Sequence, residues 1–84
     1  MTGKIAALNR QKSFYAIDLG NESYIVFKLI DSVKIDIGHL ISGNFDVYGN
    51  VKLKNETTGD DFEAYIKEIK CSKINAQKML DLIL

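Results

Sequence analysis

The chain has 84 residues and is 46% apolar, with four Phe and four Tyr. This length provides for one domain, and the apolar content supports a folded core and excludes a disordered chain. Eleven basic residues balance eleven acidic ones, so the net charge gives no support for a strong phosphate binder. Whether the chain can bind phosphate depends on where the charges lie.

The cysteine content and the N-terminal sequence indicate in which cellular compartment the protein is expected. Cys71 is the single cysteine, so an internal disulfide is excluded and a reducing environment is expected. The first ten residues, MTGKIAALNR, lack the apolar stretch of a signal peptide, and no apolar run reaches the length of a membrane span. We therefore expect a cytoplasmic protein with no membrane partner.

Apolar and polar residues alternate with a period of two along most of the chain, which is typical of strands. The predicted strands, in chain order, are GKIAALN (3–9), SFYAIDL (13–19), SYIVFKLI (23–30), HLISGNFDVYG (39–49), VKLKN (51–55) and FEAYIKEIK (62–70). The segment GNE at 20–22 is a predicted turn, because Gly and Asn tolerate positive φ. Gly43 interrupts its strand, where a bulge or sharp bend suits the corner of a barrel.

The alternation also predicts which side chains face the interior. The predicted interior set is Ile5, Ile17, Ile25, Phe27 and Leu29. The opposite face of the second and third strands carries Phe14, Ala16, Asp18, Tyr24, Val26 and Lys28. Short strands at such close spacing favour a small antiparallel barrel.

The tail SKINAQKMLDLIL changes to the period of a helix. Either Ser72 or Asn75 is its predicted N-cap. One helix face carries the apolar residues Ala76, Met79, Leu80 and Ile83. This face must be covered, either because the helix closes an end of the barrel or because it forms a dimer contact. The chain is accordingly expected to be a monomer or a weak homodimer.

The segment GKIAALNRQKSFYAI, followed by YIVF and IGHLISG, resembles the cold-shock domain. The resemblance covers roughly residues 3–45, and it includes Gly3, Ile5, Leu8, Asn9, Lys12, Phe14 and Ile17 of the first motif, 23–27 of the second, and Gly38 and Ile41 of a later one. It implies a small five-stranded antiparallel OB-fold-like barrel. Together with the periodicity of the tail, this predicts an all-β fold with the barrel over 1–71 and an added C-terminal α-helix over 72–84 that packs on the barrel or on a partner.

The departures from the family concern the aromatic platform on which its first three strands stack bases. Ala7, Ala16 and Val26 stand where the family carries a Trp, a Phe and a His, so only Phe14 and Tyr24 remain at platform positions. Stacking of a base on an aromatic ring contributes about 1–3 kcal/mol. The missing rings therefore predict weak binding.

Charge near these two rings favours nucleic acid. Residues 1–17 carry Lys4, Arg10 and Lys12 and no acidic residue. A basic hairpin beside Phe14 and Tyr24 provides what a phosphate backbone and one or two stacked bases need. We expect weak, largely sequence-independent binding of single-stranded RNA or DNA, with the two rings stacking bases and the three cations holding phosphates. The ordinary alternative is a solvated strand face.

A second functional class uses the same face differently. Ala7, Ala16 and Val26 form an aliphatic patch beside Phe14 and Tyr24, which suits a protein partner. The chain would then be a protein–protein interaction module that has lost its base platform. Small barrels support both uses, so the fold does not decide between them.

Residues for catalysis or metal binding are sparse. His39 is the single histidine, Cys71 has no histidine nearby in sequence, and Asp60 and Asp61 lack further spaced ligands. No glycine-rich phosphate loop precedes a helix. We expect neither an enzyme nor a metal or cofactor site.

Overall fold

A computed structural model describes residues 1–81, which form six strands and one helix. The elements are β1 (Thr2–Asn9), β2 (Phe14–Asp18), β3 (Tyr24–Leu29), β4 (Leu40–Ser42), β5 (Gly49–Asn55), β6 (Asp61–Cys71) and α1 (Lys73–Leu80). The predicted all-β fold, a closed antiparallel barrel followed by a C-terminal helix, is confirmed, with six strands in place of five.

The barrel closes in the order β1-β2-β3-β6-β5-β4, and β4 pairs back with β1. Every neighbouring pair is antiparallel. The register places Ile17 opposite both Ile5 and Ile25, and Phe27 opposite both Tyr15 and Ile66. Because opposite residues share a face of the sheet, this register gathers the large apolar side chains inside the barrel.

The core is centred on Phe27, which is fully buried. Its ring stacks on Tyr15 with 5.3 Å between centroids, and it lies 5.8 Å from the ring of Phe62. The predicted interior residues Ile5, Ile17, Ile25 and Phe27 are buried, and Leu29 packs partly buried against them. The period-two prediction of the core is therefore confirmed.

Gly43 directly follows β4 and interrupts the predicted strand 39–49. Its φ is +148°, and a Cβ there would lie 2.6 Å from Cδ2 of Leu53. A side chain at this position would meet both strain and a clash. The predicted strand 39–49 consequently breaks into β4 and the beginning of β5.

Helix α1 covers the side of the barrel rather than an end. Ser72 is the N-cap and accepts a hydrogen bond from the backbone N–H of Asn75 at 3.2 Å. The helix packs across the outer surface of β1, β2 and β3 in a buried cluster of Ala16, Val26, Cys71, Ala76 and Leu80, with Met79 partly buried beside it. Ile83 of the predicted apolar face lies outside the described residues. No helix in the described part of the chain is long and apolar enough to span a membrane.

Ser72→Ala is expected to destabilise α1 by about 1 kcal/mol, because the side-chain acceptor for the first helical turn is lost. Hydrogen exchange of the helix amides measures this effect. Asn75→Ala is the matched control, since its side chain caps nothing. Equal protection of the helix amides in both variants would contradict the assignment of Ser72 as the cap.

Candidate functional site

The three basic residues predicted to hold phosphates are placed differently from one another. Lys4 is exposed on β1. Arg10 forms an ion pair with Asp36, and Nζ of Lys12 lies 3.1 Å from Oδ2 of Asp81 just beyond α1. Both pairs are solvent-exposed, so each is weak and its carboxylate is exchangeable for another anion.

The two predicted base-stacking residues lie at the margins of α1. Phe14 and Tyr24 are both partly buried against the helix cluster. Between them, Ala16 is 2% exposed and Val26 is fully buried, although both project outward from the barrel. Ala7 also packs partly buried under the helix. The centre of the predicted face, including the aliphatic patch suited to a protein partner, is thus covered by the chain's own helix.

A shallow pocket remains between α1 and the strands. It has a volume of about 80 Å³ and is lined largely by alanines. Pockets for small organic ligands are typically about 300–1,000 Å³. The space beneath the helix is therefore smaller than such pockets, and a more open hollow of about 460 Å³ lies beside the first turn of α1, lined by Glu22, Tyr24, Ser72, Lys73 and Ile74.

Beyond the edge of α1, four side chains form a cross-strand row on the outer surface of β2, β3, β6 and β5. Phe14 lies opposite Lys28, Lys28 opposite Tyr65, and Tyr65 opposite Asn50. Lys28, Tyr65 and Asn50 are exposed, Tyr65 by 43%. The row therefore alternates an aromatic ring, a cation, a second aromatic ring and an amide.

Lys67 connects the two rings of this row. Its ammonium lies 5.7 Å from the ring centroid of Phe14 and 5.6 Å from that of Tyr65. Both distances are within the range of cation–π attraction. We call Phe14, Lys28, Tyr65, Asn50 and Lys67 the open face. Its five side chains comprise two cations, two aromatic rings and an amide, and Glu63 lies exposed on the same face of β6 next to Tyr65.

A tyrosine and a glutamate flank the open face. The hydroxyl of Tyr48 donates a hydrogen bond to Oε1 of Glu68 at 2.8 Å. This hydrogen bond, assisted by the negative charge of Glu68, raises the pKa of the Tyr48 phenol above its ordinary value. The Tyr48 phenol therefore stays protonated and keeps the Glu68 carboxylate hydrogen-bonded.

The side chains that commonly hold metal ions are not clustered in the described part of the chain. No group of three or more His, Cys, Asp or Glu side chains between residues 1 and 81 is placed to hold a metal ion. Nδ1 of His39 lies 3.2 Å from the backbone N of Asp36 and 2.9 Å from Nδ2 of Asn55. Since both partners are donors, His39 is an acceptor within a structural network.

The sequence analysis placed Phe14 and Lys28 on one outward face but did not identify Asn50, Tyr65 and Lys67 as their neighbours. The alternation of FEAYIKEIK does place Tyr65 and Lys67 outward, and this was the available signal. Nothing local shows that β6 pairs with β3, so the contact between Lys67 and Phe14 follows only from the strand order.

Comparison of the chain with protein-family models, with curated proteins and with solved structures gives no match.

Proposed function

We propose that this protein is a non-enzymatic binding protein that holds single-stranded nucleic acid, weakly and without marked sequence preference, on the open face. The observation that supports this most is the position of the Lys67 ammonium over both Phe14 and Tyr65. Aromatic rings for bases, interleaved with cations for phosphates, are the two components of sequence-tolerant single-strand binding.

The spacing of the rings suits two nucleotides. Phe14 and Tyr65 lie on strands separated by β3, which places them about 10 Å apart, since neighbouring strands lie about 4.8 Å apart. One base stacks on each ring. Lys28, between the rings, contacts the phosphate that joins the two nucleotides. Lys67 exchanges its position over the rings for a phosphate oxygen, which its flexible stem allows.

The charge of the open face sets the strength of binding. Two lysines serve this surface, while Arg10 and Lys12 are paired with carboxylates. Each neutralised phosphate of a single strand contributes about −0.7 to the slope of log K against log salt concentration, so two contacts give about −1.4. Binding is therefore measurable at low salt and falls modestly as salt rises.

The test is a titration with a fluorescently labelled oligothymidylate of about ten nucleotides, within the length that one small barrel covers. Tyr65→Ala is expected to weaken binding by about 1–3 kcal/mol, because one stacking surface is removed. Ile37→Ala is the control, since Ile37 is an exposed apolar residue between β3 and β4 and lies outside the row. Equal losses in the two variants would contradict the assignment of the open face.

Lysine variants complete the same experiment. Lys67→Gln is expected to reduce the salt slope by about 0.7, because one phosphate contact is lost. Lys54→Gln removes the same charge from an exposed position on β5 outside the row and should leave the slope unchanged. Absence of any binding at low salt in the unaltered protein would overturn the proposed function.

A further inference from the structure

We infer that α1 is a displaceable cover over a second part of the nucleic-acid surface, and that Asp81 holds the cover closed by occupying the phosphate position on Lys12. This inference rests on the proposed function. It concerns how the interface is regulated. When the helix moves aside, Lys12, Phe14 and Tyr24 form one exposed binding surface.

The polar contacts of α1 with the barrel are concentrated at its C-terminal end. Nδ2 of Asn9 donates a hydrogen bond to the backbone carbonyl of Leu80 at 2.8 Å, and Nζ of Lys12 pairs with Asp81. Asn9 and Lys12 both belong to the hairpin between β1 and β2. The side chains of Lys12 and Asp81 are 48% and 68% exposed. A phosphate therefore reaches Lys12 from solvent and competes directly with the carboxylate.

The apolar attachment of α1 is small. Among its eight residues in the described part of the chain, Ala76 and Leu80 are buried and Met79 is partly buried, while Ile74 in the first turn is exposed. Its buried cluster is separate from the main core, which consists entirely of residues outside α1. Ser72 alone connects β6 to the helix. The helix can therefore leave the barrel side by rotation about this junction, with the barrel closed and its core intact.

The surface beneath the helix is continuous with the open face. Phe14 belongs to both surfaces, because it packs against the α1 cluster and its ring also lies near the Lys67 ammonium. When α1 leaves, Ala16 and Val26 become a flat floor between Phe14 and Tyr24, and Lys12 loses its carboxylate partner. A strand of nucleic acid that occupies the open face meets α1 at Phe14 and gains these additional contacts only by displacing it.

Cys71 reports the position of the helix without reference to nucleic acid. It is the single cysteine of the chain, is 8% exposed, and packs in the cluster that α1 covers. Its thiol donates a hydrogen bond to the backbone carbonyl of Tyr24 at 3.3 Å, and burial raises its pKa. Reaction with a thiol reagent requires an exposed thiolate. Displacement of α1 therefore accelerates labelling of Cys71.

The first test uses Asp81→Asn, which removes the pair with Lys12 but tolerates the left-handed conformation found at this residue. Loss of an exposed ion pair is expected to raise the labelling rate of Cys71 about 1.5- to five-fold. The affinity for oligothymidylate rises by up to the same factor, because the part of the binding that uses the covered surface scales with the population of the open form. Asp60→Asn, an exposed loop change of equal charge, should alter neither quantity.

Leu80→Ala provides a stronger variant, since Leu80 is fully buried in the helix cluster and lies outside the barrel core. It is expected to raise the labelling rate of Cys71 roughly ten-fold or more and to raise the affinity further than Asp81→Asn does, with the β-sheet circular dichroism unchanged. In the unaltered protein, saturating oligothymidylate should also accelerate the labelling of Cys71.

Three outcomes separate the hypotheses. Binding of oligothymidylate with unchanged or slower labelling of Cys71 would overturn the cover and leave the proposed function intact. Faster labelling in both variants without a gain in affinity would also overturn it, because the uncovered surface then adds nothing to binding. Failure of every variant to bind at low salt would overturn both proposals.

Discussion

Phe27→Ala is expected to lower the free energy of unfolding by about 3–5 kcal/mol, which is comparable to the total stability of a domain of this size. The ring is fully buried, stacks on Tyr15 and contacts Phe62. Its removal leaves a cavity that closed, hydrogen-bonded strands on every side cannot collapse to fill. Most of the variant should therefore be unfolded at room temperature.

Urea unfolding monitored by circular dichroism measures this loss. Lys28→Ala is the matched control, because Lys28 is the next residue of the same strand but is exposed. It should change stability by less than about 0.5 kcal/mol, as is usual for surface substitutions. A Phe27→Ala protein that unfolds at the same urea concentration as the control would contradict the assigned core.

The alternation of the sequence predicted the core because successive side chains of a strand point to opposite faces of the sheet. Ile17, Ile25 and Phe27 follow this rule and are buried in the barrel. Ala16 and Val26 are buried as well, on the opposite face, because α1 forms a second layer there. An alternation of apolar and polar residues marks a strand that has one buried and one exposed face. It does not show where a helix also covers the outer face.

The candidate site was less predictable than the core because its contacts are distant in sequence. The hairpin lysine Lys12 is 69 positions from its partner Asp81, and Arg10 is 26 positions from Asp36. Composition correctly showed a basic segment without acidic residues, but the fold supplies the carboxylates from other elements. Lys28 lies beside Phe14 within the hairpin of β2 and β3, whereas Lys67 of β6 reaches Phe14 only because β6 is the neighbour of β3.

The predicted strand VKLKN ends at Asn55, and this residue is neither exposed nor loosely held. Asn55 ends β5 and is fully buried. Its backbone N–H donates to the carbonyl of Asp60, and its carbonyl accepts from the N–H of Gly59. An asparagine at a strand end gives no sequence signal of burial, because this residue type is most often exposed.

Asn55→Ala is expected to destabilise the protein by about 2–4 kcal/mol, since one buried amide serves several partners and each buried hydrogen bond left unmade costs about 1–3 kcal/mol. Its Oδ1 accepts from the backbone N–H groups of Thr57 and Thr58 at 3.0 and 3.2 Å. Its Nδ2 lies 2.9 Å from Nδ1 of His39. The two threonines are exposed, so water replaces part of what their N–H groups lose, and the estimate falls below the full sum.

The matched control is Asn50→Ala, the same chemical change at an exposed position of the same strand. Urea unfolding should show a large shift for Asn55→Ala and a shift below about 0.5 kcal/mol for the control. The effect should also spread, because the backbone of Leu40 donates to Oγ1 of Thr57 and β4 is only three residues long. Hydrogen exchange should therefore rise in β4 together with the loop. Unchanged protection of β4 in Asn55→Ala would show that this amide does not hold the β4 edge of the barrel.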